Sequence, residues 1–172
     1  MRERRYWLDL LFGHHDIEKP HFQYTPIYQD RLLAILSGEH PACQKAVPVE
    51  GFLYPWLDLK EVKEECFILQ HSNQSIRQFE EDALLFADVS PKISYKISSI
   101  DAGIRMADAG YGVAFTLQSY LQEYPNAENL HVFSVGDQNL TIPFSAIRNC
   151  EKPASTELQK WIALTEEFIR KY

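Results

Sequence analysis

Apolar and polar positions change rhythm several times along this chain. Ile93, Tyr95 and Ile97 alternate with polar residues at the period of a strand, and Ile100, Gly103, Ile104 and Ala107 then recur at the spacing of a helix face. Ser98 or Ser99 stands where a helix cap belongs, Ser98 and Asp101 have capping-box spacing, and Gly110-Tyr111-Gly112 offers positions suited to positive φ. Val113-Ala114-Phe115 follows as a buried parallel strand. The stretch 93–116 thus predicts strand, polar turn, helix, glycine turn and strand, one βαβ unit. At the carboxyl end of its first strand, unpartnered helix amides and serine hydroxyls would face outward together, a setting that suits a carboxylate or another small anion.

A second strand-turn-helix precedes it. Cys66-Phe67-Ile68-Leu69 reads as a strand that opens into His71-Ser72-Asn73-Gln74-Ser75, followed by a helix with Ile76, Phe79, Ala83 and Phe86 on one face and a Ser75/Gln78 capping box. Nearer the start, a helical turn over Arg2 to Trp7 runs into a short strand, Leu8-Asp9-Leu10-Leu11-Phe12-Gly13, and then a polar loop through His14, His15, Asp16 and Pro20. The apolar run from Asp30 to Leu36 predicts a strand covered on both faces and stopped by Ser37-Gly38-Glu39-His40-Pro41. Residues 42–55 read as surface loop, and Asp58 caps a short helix reaching Lys63. Leu117–Leu121 predicts another short helix, and Leu130–Val135 and Thr141–Ile147 predict strands joined through Gly136-Asp137-Gln138-Asn139. The last helix carries a Thr156/Gln159 capping box, with Leu158, Trp161, Ile162, Thr165, Phe168 and Ile169 on the face turned to a sheet.

Composition narrows the possibilities. The 172 residues, 45% of them hydrophobic, can build one good core or two small linked ones. A net charge of −7 and a pI near 5.3, with basic residues scattered among acids, leave no basic face for a phosphate backbone. No apolar run approaches the roughly 18 residues of a membrane span, and Met1 is followed by charged residues and Trp7 without a signal-peptide core, so the expected location is cytoplasmic. Cys43, Cys66 and Cys150 are odd in number and lack Cys-x-x-Cys spacing, so they read as reduced packing residues.

Catalytic chemistry finds little support. His14, His15 and Asp16 have donors that suit zinc, and a metal-assisted hydrolase would rest on them alone. Adjacent side chains on an extended segment point opposite ways, however, so neither a metal nor any other cofactor is expected. Ser119 and Thr116 lack a Gly-x-Ser-x-Gly elbow and read as strand-end polar residues. Gly110-Tyr111-Gly112 follows a helix instead of opening one, unlike a dinucleotide fingerprint.

Four stretches, in order, carry a family likeness: Leu8-Asp9-Leu10-Leu11-Phe12-Gly13; Asp30–Pro41 with its Glu39-His40-Pro41; Leu57-Asp58-Leu59-Lys60-Glu61 followed by Cys66-Phe67-Ile68-Leu69; and Ser98–Phe115 with its Ala109-Gly110-Tyr111-Gly112-Val113-Ala114. Pro153 and the terminal helix complete the set, and the chain resembles the effector-binding, or substrate-binding, domain of LysR-type transcriptional regulators. The resemblance implies an α/β, two-lobed, type 2 periplasmic-binding-protein-like fold. Residues 1–30 plus 145–172 would form lobe I and residues 31–144 lobe II, with lobe I incomplete because Met1 falls just before its Leu-Asp strand. It further implies a small-molecule effector held between the lobes, with a change in lobe and dimer geometry as the output and no enzymatic step. Carried over by position, effector contacts would come from Ser72, Asn73 and Gln74 in one turn, Ser98 and Ser99 in the other, with His71 beside them and His14 and His15 on lobe I. The same resemblance implies a homo-oligomer formed through effector domains, no membrane partner, and DNA contact only through a helix-turn-helix domain that this chain lacks. An alternative is an oligomerisation or assembly fragment without a working pocket, suggested by the missing first strand-helix of lobe I.

Overall fold

The computed structural model describes residues 9–15, 17–151, 153 and 155–169. The expected helical turn at Arg2–Trp7, the strand residue Leu8 and the loop residue Asp16 lie outside them. The fold is mixed α/β with two sheets, and the chain divides into two compact units: Asp30–Thr141, and the residues up to Gln29 together with those from Ile142 onward.

In the Asp30–Thr141 unit the sheet contains β3 (Leu32–Leu36), β4 (Phe67–Gln70), β5 (Ser94–Ile97), β6 (Val113–Leu117) and β7 (His131–Ser134), in the order β5-β4-β6-β3-β7. Strand β4 runs parallel to β5 and β6, whereas β3 is antiparallel to β6 and β7. Every residue of β3 is buried, as its unbroken apolar run requires. Helix α1 (Ile76–Phe86) links β4 to β5, and α2 (Ile100–Asp108) links β5 to β6. Strand β5 therefore lies at the sheet edge and β4 sits between the two strands of the predicted βαβ unit. Right-handed crossovers in opposite directions place the helices on opposite faces. On one face Leu33, Ile35, Ile68, Ala114 and Val132 pack with Ile104 and Ala107 of α2 and with Leu121 of the short helix α3 (Gln118–Gln122). On the other, Phe67 and Phe115 stack with ring centroids 6.2 Å apart. The buried Asp30 carboxylate ties the start of β3 to α3, accepting the Arg31 amide at 2.8 Å, the Ser119 amide at 3.1 Å and the Ser119 hydroxyl.

Both long helices of this unit stop on a left-handed residue. Asp88 has φ 53° and Gly110 φ 82°, and the amides of Val89 and Tyr111 turn back to the carbonyls of Leu84 and Met106, the six-to-one bond of a Schellman ending. Gly112 is more constrained: its φ is 142°, and a Cβ there would lie 2.1 Å from the Cys66 carbonyl oxygen. Only glycine lets β6 enter beside the start of β4.

The other unit holds β1 (Leu10–His14), β2 (Phe22–Asp30, which ends at the unit boundary) and β8 (Ile142–Asn149) in the order β1-β8-β2, with α4 (Thr156–Ile169) following. Strand β1 pairs antiparallel with β8 from Leu10↔Arg148 to His14↔Phe144. Helix α4 has no buried residue; Leu158, Ile162, Thr165, Glu166 and Ile169 are half-buried, while Trp161 and Phe168, expected on the covered face, are exposed. A three-stranded sheet offers a narrow floor, and the periodic stripe is wider than it. Phe86 is likewise exposed, because the covered stripe of α1 runs Ile76, Phe79, Glu80, Ala83 and on to Ala87.

Cap positions also differ from the spacing argument. Of the two serines expected at the cap of α2, Ser99 takes the position, its hydroxyl accepting the Ala102 amide at 3.3 Å, and the Ser98/Asp101 box does not form, since Asp101 pairs with Arg105 at 2.9 Å. Ser155 takes the place expected for Thr156, accepting the Leu158 amide at 3.2 Å. Ser75 makes no side-chain cap bond, and Gln78 donates to Asp82 instead. The 42–55 loop starts in a short 3₁₀ turn, Pro41–Lys45, and Cys150 is exposed, unlike the half-buried Cys43 and Cys66.

Glu80 is fully buried on α1, where its oxygens accept the Gln70 amide at 3.0 and 3.3 Å. Burial pushes its carboxyl up to about 8 from the ordinary 4.5, against the Gln70 amide and Arg77, which pull it down. Between those two values the folded chain holds a proton that the unfolded chain has released, so stability falls as pH rises through that window. Urea midpoints should decline from pH 5 to 8 in the wild type and change much less in Glu80→Gln; parallel profiles would contradict this. Gly112→Ala should cost about 2 kcal/mol or more, since the backbone is strained and a carbonyl blocks the methyl group. Gly13→Ala, where a Cβ meets nothing within 4 Å among the described residues, is the control and should alter the urea midpoint little.

Candidate ligand-binding turns

Parallel pairing brings two polar turns side by side. The β4–β5 register runs from Phe67↔Ser94 to Gln70↔Ile97, and the His71 amide extends the ladder one step by donating to the Ile97 carbonyl at 3.0 Å. Both chains then leave the sheet at its carboxyl edge. The first forms the turn His71–Ser75, closed by the Gln74 amide on the His71 carbonyl at 3.0 Å. The second passes through Ser98 and Ser99 into α2. Gln74 joins them, its side-chain amide donating to the Ser98 carbonyl at 3.3 Å. His71, Ser72, Asn73, Ser98 and Ser99 are exposed and Gln74 is half-buried, so five of these six side chains face solvent.

Two helices begin here, and their first amides have no partners within the helix. At α2 one of them is satisfied by Ser99; at α1 the cap residue Ser75 is itself helical and its side chain bonds no amide. The Arg77 amide in that first turn donates to the Gln74 carbonyl at 3.2 Å, so an anion at α1 would meet only the remaining first-turn amides, which no Ser75 cap bond occupies.

Beneath the turns, the β4–β6 ladder stops at Ile68↔Ala114. Gln70, two residues further, gives its amide to Glu80 and its carbonyl to Arg77 Nη1 at 3.3 Å. The side-chain amide of Gln70 and the hydroxyls of Thr116 and Ser134 are buried and have no hydrogen-bond partner among the described residues. Register places Thr116 and Ser134 opposite Leu33 in one row, and Gln70 continues that row across the splayed β4–β6 ends. Gln70, Arg77, Glu80 and the buried state of Thr116 were missed by sequence reasoning. The one available signal was the stripe Ile76-Phe79-Glu80-Ala83, which puts an acid on an apolar face.

His14 and His15 belong to the other unit. The His14 ring packs edgewise on Phe144, with centroids 4.8 Å apart, and lies near Tyr28 at 6.1 Å. His15 faces Tyr24 at 4.6 Å and shares a 2.9 Å hydrogen bond between Nε2 and the Ser145 hydroxyl. The two rings thus contact different partners, as adjacent residues on an extended segment do.

The model of the LysR substrate binding domain matches residues 3–170. Curated protein sequences give no match. Among solved structures, the effector-binding domain of QuiR in complex with shikimate superposes with a TM-score of 0.73 at 15% identity, covering 95% of this chain and 73% of that one. The BenM effector-binding domain with its effector benzoate gives 0.68 at 19%, covering 96% and 70%. The regulatory domain of CcmR from Synechocystis PCC6803 in complex with 2-PG gives 0.73 at 16%, covering 93% and 73%. These likenesses share the fold, and with the match over residues 3–170 the chain belongs to the LysR substrate binding domain family.

Proposed function

We propose that this chain is the ligand-sensing part of a LysR-type regulator, and that the unit Asp30–Thr141 holds a small anionic effector at the turns His71–Ser75 and Ser98–Ser99. One observation carries the reading: the β4–β5 register sets two helix N-termini and five exposed polar side chains at one sheet edge. The first-turn amides of α1 not already bonded to Gln74, the serine hydroxyls and the Asn73 amide supply donors for carboxylate or phosphoryl oxygens, and the helix dipoles favour negative charge. Effector complexes of BenM and QuiR, which share the fold, make a small-molecule ligand the natural class. The domain works by binding alone: effector shifts a dimeric cytoplasmic regulator between pre-existing arrangements, and DNA contact lies with other parts of the regulator.

A thermal-denaturation panel of small carboxylates and phosphate esters tests this. At about 100 times its Kd a specific effector adds about 2.7 kcal/mol of stability, a rise of several degrees in Tm. Asn73→Ala and Ser98→Ala, both at exposed positions, should leave the unliganded Tm nearly unchanged and reduce that rise at the same ligand concentration. Stabilisation untouched by either substitution, or no stabilisation across the panel, would contradict the proposal.

A further inference from the structure

We infer that Glu80 is a proton-operated latch on the ligand turn: with and without its proton it holds the Gln70 end of β4 differently, so that the turn His71–Ser75 responds to pH. This rests on reading that turn as the effector site and adds its regulation.

The latch is built where the sheet ends. A continuing β4–β6 ladder would take the Gln70 amide and carbonyl, but pairing stops at Ile68↔Ala114 and two side chains of α1 take them instead. Glu80 accepts the amide and Arg77 donates to the carbonyl, with the carboxyl and the guanidinium 3.9 Å apart. Glu80 is fully buried, and Arg77 is shared with the half-exposed Glu81 at 2.8 Å. On its own helix Glu80 thus faces Arg77, which attracts it, and Glu81, which repels it; from β4 it faces the uncharged Gln70 amide. The next residue after Gln70 is the first of the ligand turn.

Ionised, the carboxylate only accepts, drawing in the Gln70 amide and Arg77. Protonated, it keeps one acceptor for the amide and gains a hydroxyl that needs an acceptor of its own. The acceptor already within the clamp is the Gln70 carbonyl, so the new hydroxyl competes with Arg77, and Arg77 moves toward Glu81. That exchange loosens or tightens the peptide that leads into the turn. An anion bound at the turn disfavours a second negative charge beneath it, so its binding takes up a proton at Glu80. By reciprocity, lowering the pH strengthens anion binding.

A ligand-free titration of the whole chain by NMR from pH 6 to 9.5 tests the latch. Backbone amides from Gln70 to Gln74 should shift with the same midpoint as the Glu80 carboxyl carbon, about 8. The shift should vanish in folded Glu80→Gln and persist in Glu81→Gln. Amides that stay still while Glu80 titrates, or that still titrate at the same midpoint in folded Glu80→Gln, would overturn the inference. Should Glu80→Gln fail to fold, the comparison of carboxyl carbon and amides in the wild type decides. Because no ligand is added, failure here counts against the latch alone, whereas failure to find an effector counts against the site.

Discussion

The account depends on one ladder of hydrogen bonds, the parallel pairing of β4 with β5 carried through to the His71 amide on the Ile97 carbonyl. Parallel strands that end in register deliver their following turns, and the helices those turns start, to the same edge. Crevices at the carboxyl ends of strands in α/β sheets are where ligands bind for this reason. A shift of register by one residue would exchange the two faces of β5 and separate Gln74 from the Ser98 carbonyl. The buried row of β3 and the close passage of Gly112 past Cys66 hold the sheet that fixes this pairing.

The same edge carries the least stable chemistry of the unit. A buried carboxyl and the Gln70 side-chain amide, which has no partner among the described residues, sit just beneath the exposed turns, and the similarly unpartnered hydroxyls of Thr116 and Ser134 continue the row across the sheet. An unsatisfied buried group costs about 1–3 kcal/mol, so such a concentration is expected where binding or switching requires it rather than where packing alone is served. Arg77 and Glu80 recover part of that cost by standing in for a strand neighbour at Gln70. This makes α1 both the wall of the core and the support of the turn.

Much of the fold could be read from the chain because its signals are local. The alternation at 93–97, the stripe on α2 and the glycines at 110 and 112 each depend on a few neighbouring residues, and the structure has the elements they predict. The cap of α2 is Ser99, one of the two serines the sequence offers, but the capping boxes read at Ser98, Ser75 and Thr156 do not form, since capping-box spacing tolerates such shifts while the true start is set by tertiary contacts. Trp161, Phe168 and Phe86 were expected to be covered because periodicity identifies a stripe but not the width of the surface beneath it. The turns themselves were legible as polar residues after strands. Glu80 was not, because only the splaying of β4 from β6, a long-range event, creates the vacancy that an acid on α1 can fill.

The most direct measurement is a structure of this chain bound to whichever small anion stabilises it. The account predicts the anionic group within hydrogen-bond distance of the Ser98–Ser99 turn and of the first amides of α1, with Asn73 or Gln74 alongside. An anion bound specifically elsewhere in the chain, leaving both turns unoccupied, would contradict it.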